Sequence, residues 1–389
     1  MTLLKSPPQT NPEPDSSPAT GWRRYLQGRA GDASTLLGVL VLILVTVAIL
    51  SGVTTAMNSP KATTNAPKPA ATHATGGNVI AANARAYSLP SANAGLMNPA
   101  VDQQGRVWFG EMATNKLGML DPATGKVGEW TPPDGENNIM YVATDRQGGV
   151  WFTEAAANYV ARFDPTTQTF KTYTLNTANG KSVGPTGIGI DAEGNIWFTE
   201  VTGAKLGKLN PTTGQLTLYP LPNTPVGAAL PYSLTIAADG RIWYGNLSGG
   251  SVGVLDPTTG KVLQYPTPDK NAQVYALAAS SDGSVWYTAL QANTIGRIDP
   301  TTGKITTITV PASAGAPATL YGAVAQGDAL WFTSTGANAL IRYIPSTNQF
   351  KFYRLKTPQS VPYGLAVAPS GSLWFTADGV PNYVGTMQG

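Results

Sequence analysis

Three glutamates and four tyrosines are the side chains of this sequence best placed to do chemistry. A recurring tryptophan phrase reads WFGE, WFTE and WFTE in its first three copies, ending on Glu111, Glu154 and Glu200. The next four copies read WYGN, WYTA, WFTS and WFTA, and the carboxylate is gone. Eleven residues before each tryptophan (ten in the sixth copy) stand Met97, Met140, Thr186, Tyr232, Tyr275, Tyr321 and Tyr363. Three copies are therefore acidic at one position, and the other four are phenolic at the second. Carboxylates facing phenol rings suit sugars, cationic groups or an Arg- or Lys-bearing partner peptide. Three carboxylates could also hold Mg²⁺ or Ca²⁺ through oxygen ligands. A plainer reading stands beside these: the tyrosines fill a channel mouth, and the glutamates accept hydrogen bonds from backbone or from Lys116 or Lys205.

Much other chemistry is excluded. The sequence has no cysteine, so disulfides, thiolate metal sites and cysteine nucleophiles are absent. Its single histidine, His73, lies in a low-complexity stretch and reads as a solvated linker residue. Histidine-centred catalysis and multi-histidine metal sites are thereby set aside. No P-loop and no metal-type histidine spacing occurs.

The elements that carry these residues repeat. Trp108, Trp151, Trp197, Trp243, Trp286, Trp331 and Trp374 keep register at intervals of 43, 46, 46, 43, 45 and 43 residues. Each copy divides into four short β-like runs, as in TGIGID, NIWFTE, KLGKLN and QLTLYPL. The first two runs join through D-x-x-G or D-G turns, the last two through D/N-P-T-T-G. Asx caps such turns, Pro fixes φ, and Gly takes the left-handed position. The turn aspartates are thus read as hairpin chemistry rather than calcium ligands. With 43 Gly, 31 Pro and only 12% charged residues, the composition also points to an all-β protein. Four-stranded units of this length are β-propeller blades. The seventh copy stops after three strands, while a lone outer-strand sequence, Ala84–Pro90, precedes the first. Residues 85–389 are therefore expected to form a seven-bladed β-propeller closed three-plus-one, with the N-terminal strand completing the last blade.

Ahead of the ring lie three segments. Residues 1–32 form a Pro-rich, then basic, tail. Residues 33–53 are 21 residues without a charge, enough to cross a bilayer core of about 30 Å as a helix. Arginines on its N-terminal side predict a cytoplasmic N-terminus and a periplasmic or extracellular propeller. A cleaved signal peptide with Thr54-Thr55-Ala56 as its site is the alternative. Residues 54–84, rich in Ala, Thr and Pro, read as a disordered linker. Residues 1–84 carry six basic and three acidic side chains, and residues 85–389 carry nineteen of each. The basic balance belongs to the membrane flank, and no nucleic-acid partner is indicated.

The run G-x-[IL]-W-F-T-E … K-[IL]-G-[KR]-[IL] … T-G-x-[IL]-T-x-Y-x-[IL]-P resembles the virginiamycin B lyase (streptogramin lyase) family of seven-bladed propellers, and more distantly the NHL and gluconolactonase-type propellers. The resemblance covers residues 85–389. It implies an elimination that opens a cyclic depsipeptide, using magnesium and histidines from a P-H-G-I-like phrase at the start of the innermost strand. That position holds Met97, Met140, Thr186 and the four tyrosines here, and no copy has histidine. Elimination needs a base of near-neutral pKa, which tyrosine at about 10 does not supply unperturbed. The expectation is therefore a non-catalytic module without a cofactor. It would dock a membrane or extracytoplasmic protein partner through Glu111, Glu154, Glu200, Tyr232, Tyr275, Tyr321 and Tyr363. The alternatives are a metal-dependent enzyme with a rebuilt site and a module that binds cell-envelope glycan.

Overall fold

The computed structural model describes residues 72–73, 75–133, 138–175, 182–290, 292–312 and 318–388. The expected tail, the apolar run 33–53 and most of the linker lie outside these. Among the described residues no helix is long and apolar enough to cross a membrane.

Seven sheets, each built on four antiparallel strands, follow one another, and the first six run from innermost to outer strand along the chain. Blade 3 is representative, with strands Pro185–Ile190, Ile196–Glu200, Lys205–Leu209 and Leu216–Pro220. The seventh blade takes Pro362–Val367, Ser372–Ala377 and Tyr383–Gln388 from the C-terminus, and Arg85–Ser88 from the N-terminus. Arg85 pairs with Thr386 and Ser88 with Tyr383, so the ring closes three-plus-one as the repeat count predicts. A clamp reinforces the closure: Ser91 donates to Glu129 (2.8 Å), and Lys116 reaches both Glu129 (2.6 Å) and Ser91 (2.7 Å). Part of the stretch read as a linker is strand instead. Thr75–Ala81 runs parallel to Gln349–Arg354 on the outer edge of blade 6, and Thr72–His73 pairs with Ile308–Thr309 on blade 5. The physical reason is an open edge: unpaired N–H and C=O groups of an outer strand accept any extended chain alongside.

The second strand of each blade is almost entirely buried, and its period-two alternation assigns the two faces. Trp197 and Thr199 point to the following blade; Phe198 and Glu200 point to the preceding one. Phe198 lies against Gly207 of the third strand, where an added Cβ would come within 2.2 Å of the ring. The tryptophans are between 0% and 4% exposed, which fixes them as packing between neighbours.

Threonine stitches the blades together. The innermost strand of blades 2–7 carries a register shift near its start. Such a bulge leaves an N–H without a ladder partner. In blade 6 that N–H, from Gly322, donates to Thr333 Oγ1 (2.8 Å), and Thr333 in turn donates to the Tyr363 carbonyl of blade 7 (2.6 Å). Thr153, Thr199 and Thr288 make the same bond to Thr186, Tyr232 and Tyr321 at 2.6, 3.0 and 3.0 Å. Thr333→Val keeps the shape but leaves two buried groups unpaired, so it is expected to cost about 1–3 kcal/mol. Thr333→Ser should recover most of that loss, and urea unfolding of the three proteins measures both.

Candidate functional site

The threonine stitch also builds the site, because the carbonyls it grips belong to the residues at the mouth of the central channel. Met97, Met140, Thr186, Tyr232, Tyr275, Tyr321 and Tyr363 all lie at this mouth, and all are buried. Tyr141, immediately after Met140, joins them. Aromatic contacts pass from Tyr141 to Tyr232 (6.0 Å), Tyr275 (4.8 Å), Tyr321 (5.1 Å) and Tyr363 (5.2 Å). The hydroxyls of Tyr232, Tyr275 and Tyr363 meet. Tyr275 donates to Tyr232 (3.1 Å), Tyr232 and Tyr363 lie 3.4 Å apart, and Tyr275 and Tyr363 are hydrogen-bonded. Above them Met112, Ala155, Val201, Leu247 and Leu290 pack as an apolar collar. Burial pushes the Tyr232 phenol up to about 12 and drives Tyr321 and Tyr363 upward as well. These phenols are neutral at physiological pH, and none is poised to accept a proton.

The glutamates do not join this cluster. Glu111, Glu154 and Glu200 are 0%, 0% and 1% exposed, so they do not stand on an open rim. Each shares its strand face with the preceding Phe and enters a different interface between blades. Glu111 accepts a hydrogen bond from Thr114 of its own hairpin turn (2.6 Å). Glu200 turns toward Gly203 of the equivalent turn and stands in register with Lys205. Lys116, offered by the sequence as a partner for Glu111, binds Glu129 instead. Three carboxylates in three interfaces do not fit one Mg²⁺ or Ca²⁺ ion, and among the described residues no group of His, Cys, Asp or Glu is arranged to hold a metal. Burial raises Glu111 to about 7, with Glu129 adding to the effect, and Thr114 and Lys116 opposing it. Burial likewise raises Glu200, against the pull of Lys205.

Three residues matter more than the sequence alone suggested. Asp378, just beyond the seventh phrase, is raised to about 6 by burial while accepting the Leu96 N–H (2.8 Å). Tyr141 extends the aromatic chain; its adjacency to Met140 was the available hint. Asp191, read as a turn cap, also accepts the Trp197 indole N–H (2.8 Å), as Asp102 and Asp145 do for Trp108 and Trp151. An Asp six residues before the Trp accompanies the Glu three residues after it in blades 1–3 only. The glutamates thus mark a subclass of blade, with its own internal polar ties.

Comparison with known proteins places this geometry. A sequence model of the virginiamycin B lyase family matches residues 68–259 and 257–388. A streptogramin B lyase structure is 28% identical, covering 78% of this chain and 96% of its own, with a TM-score of 0.70. The virginiamycin B lyase of Staphylococcus aureus is 25% identical over 78% of this chain and 98% of its own, TM-score 0.70. A catalytically inactive histidine-to-alanine variant of that enzyme, solved with Quinupristin, is 26% identical over 78% and 98%, TM-score 0.70. Among curated protein sequences nothing matches.

Proposed function

The chain belongs to the virginiamycin B lyase family, and from that premise we propose that it has kept the ring and given up the elimination. In this reading it is a membrane-anchored, extracytoplasmic docking module that binds a protein partner, as an accessory subunit of a larger membrane complex. One observation carries the reading. At the mouth of the channel, tyrosine hydroxyls bond to one another beneath an apolar collar, and Asp378, the carboxyl that acts on Tyr363 there, is tied to the Leu96 N–H. A relative that loses one histidine is catalytically inactive; residues 85–389 here contain no histidine at all. The uncharged run 33–53 supplies the anchor, with the N-terminus cytoplasmic.

A second reading, a rebuilt enzyme, is favoured by Glu111, whose carboxyl near 7 has the value of a general base. Its placement argues otherwise, since it is fully buried and bonded to its own turn. Incubation with a streptogramin-type cyclic depsipeptide and Mg²⁺, followed by mass spectrometry, separates the two. The docking reading expects no ring-opened product above the protein-free blank. Product formation that is lost in Glu111→Gln would instead establish the enzyme.

A further inference from the structure

The nineteen positive and nineteen negative side chains of residues 85–389 cancel in sum but not in place. Between Asp328 and Asp378 there is no acidic residue, while Arg342, Lys351, Arg354 and Lys356 all fall there. From Val79 to Val101 the one charged residue is Arg85. The fold gathers these stretches on one rim. Lys351 and Arg354 lie on the outer strand of blade 6, Lys356 just beyond it, and Arg85 on the outer strand of blade 7. All four are exposed. Arg342, one strand further in, has Asp328 beside it at 3.8 Å. Along the same rim runs the added strand Thr75–Ala81, whose Val79 and Ile80 are 48% and 38% exposed. They stand in register with Phe352 and Tyr353, between the two cations of that outer strand.

We propose that this rim of blades 6 and 7 rests on an anionic lipid surface. Cations beside protruding aliphatic side chains are what such a surface rewards: the charges meet the headgroups and the aliphatics enter the interface. A polyanion in solution would engage the charges and leave Val79 and Ile80 in water, which is why lipid is the occupant chosen. The chain's path agrees. Residues 54–71 separate the apolar run from Thr72, so only eighteen residues lie between that run and the strand on blade 5. That places blades 5 and 6 beside the bilayer, an argument that rests on the anchored reading above. With this rim down, the ring stands on edge, and the tyrosine face looks along the membrane toward neighbours in it.

The absence of native cysteine allows clean single-site labelling of the full chain. Val79→Cys and Val226→Cys, the second 58% exposed between blades 3 and 4, would carry a fluorophore. The labelled chains are reconstituted into nanodiscs of phosphatidylcholine, or of phosphatidylcholine with phosphatidylglycerol, each doped with a headgroup spin-label quencher. Quenching at position 79 is expected to exceed that at 226 several-fold in anionic discs. It should fall in neutral discs and at high salt, and be lost on adding Lys351→Glu, Arg354→Glu and Lys356→Glu. Equal quenching at both sites, or none that depends on lipid charge, overturns the proposal. Failure of the anchor is read separately, as release of the chain from discs by alkaline carbonate. In that event flotation with the same two lipid compositions decides: binding to anionic vesicles alone upholds the rim, and binding to neither, or only to heparin, overturns it.

Discussion

A chain starting after Ser91 is expected to lose cooperative unfolding and to aggregate, whereas one starting at Asn83 should stay soluble with a melting temperature only a few degrees lower. The two differ by nine residues at the ring closure. The shorter chain strips Tyr383–Gln388 of its outer partner, removes buried Tyr87 from its contact with Trp374 (5.9 Å), and deletes Ser91 from the clamp with Glu129 and Lys116. It also removes the Ser91 carbonyl that accepts from Asn382 (3.1 Å). The ladder bonds and apolar burial together contribute on the order of 5 kcal/mol, against a total of roughly 5–15 kcal/mol for a typical domain. The longer chain loses only the added parallel strands on blades 5 and 6 and the buried Ala82. Tryptophan fluorescence during heating, with size-exclusion chromatography, reads both. Equal behaviour of the two truncations would mean that the strand does not close the ring.

Glu111→Gln is expected to stabilise the protein at pH 8 by up to about 3 kcal/mol and to leave it nearly unchanged at pH 4, since one pKa unit corresponds to about 1.4 kcal/mol. The sign follows from the direction of the shift. Burial raises the folded-state carboxyl from 4.5 to about 7, so the unfolded chain gives up this proton first. Stability from this group is therefore greatest at low pH and falls as pH climbs from about 4.5 to about 7. Glu200 and Asp378, both raised by burial, add to the same slope. Carboxyls held low by hydrogen bonds, such as Asp282 at about 2, produce the opposite slope, and only in strong acid. Chemical denaturation of wild type and variant across pH 4 to 8 checks this. A variant that tracks the wild type at every pH would show that Glu111 is not buried as described.

The repeat made the architecture legible. Seven tryptophans in register, Asx-Pro-x-x-Gly turns and an incomplete last copy were sufficient to place Arg85–Ser88 in blade 7, because each rests on local chemistry that a single chain displays. The added strand Thr75–Ala81 was not legible, since a Gly- and Ala-rich stretch has no alternating pattern. It is strand only because an unpaired edge lies beside it. The tyrosines gather at one end of the channel, and their packing into a chain through Tyr141 depends on the curvature of the ring. The glutamates were the misleading residues. Glu200 sits two positions after Phe198, and alternation alone puts it on the same buried face. That clue was present in the sequence and pointed away from an exposed arc.

The docking reading stands or falls on what the full chain carries with it out of native membranes. Affinity purification in mild detergent, followed by native mass spectrometry, is predicted to recover one extracytoplasmic or membrane protein at fixed stoichiometry. Charge-altering substitution at the half-buried edge of the apolar collar, Met112→Asp, should release that partner without unfolding the ring. A homogeneous protein with no stoichiometric partner, obtained repeatedly from its native membranes, would contradict the account.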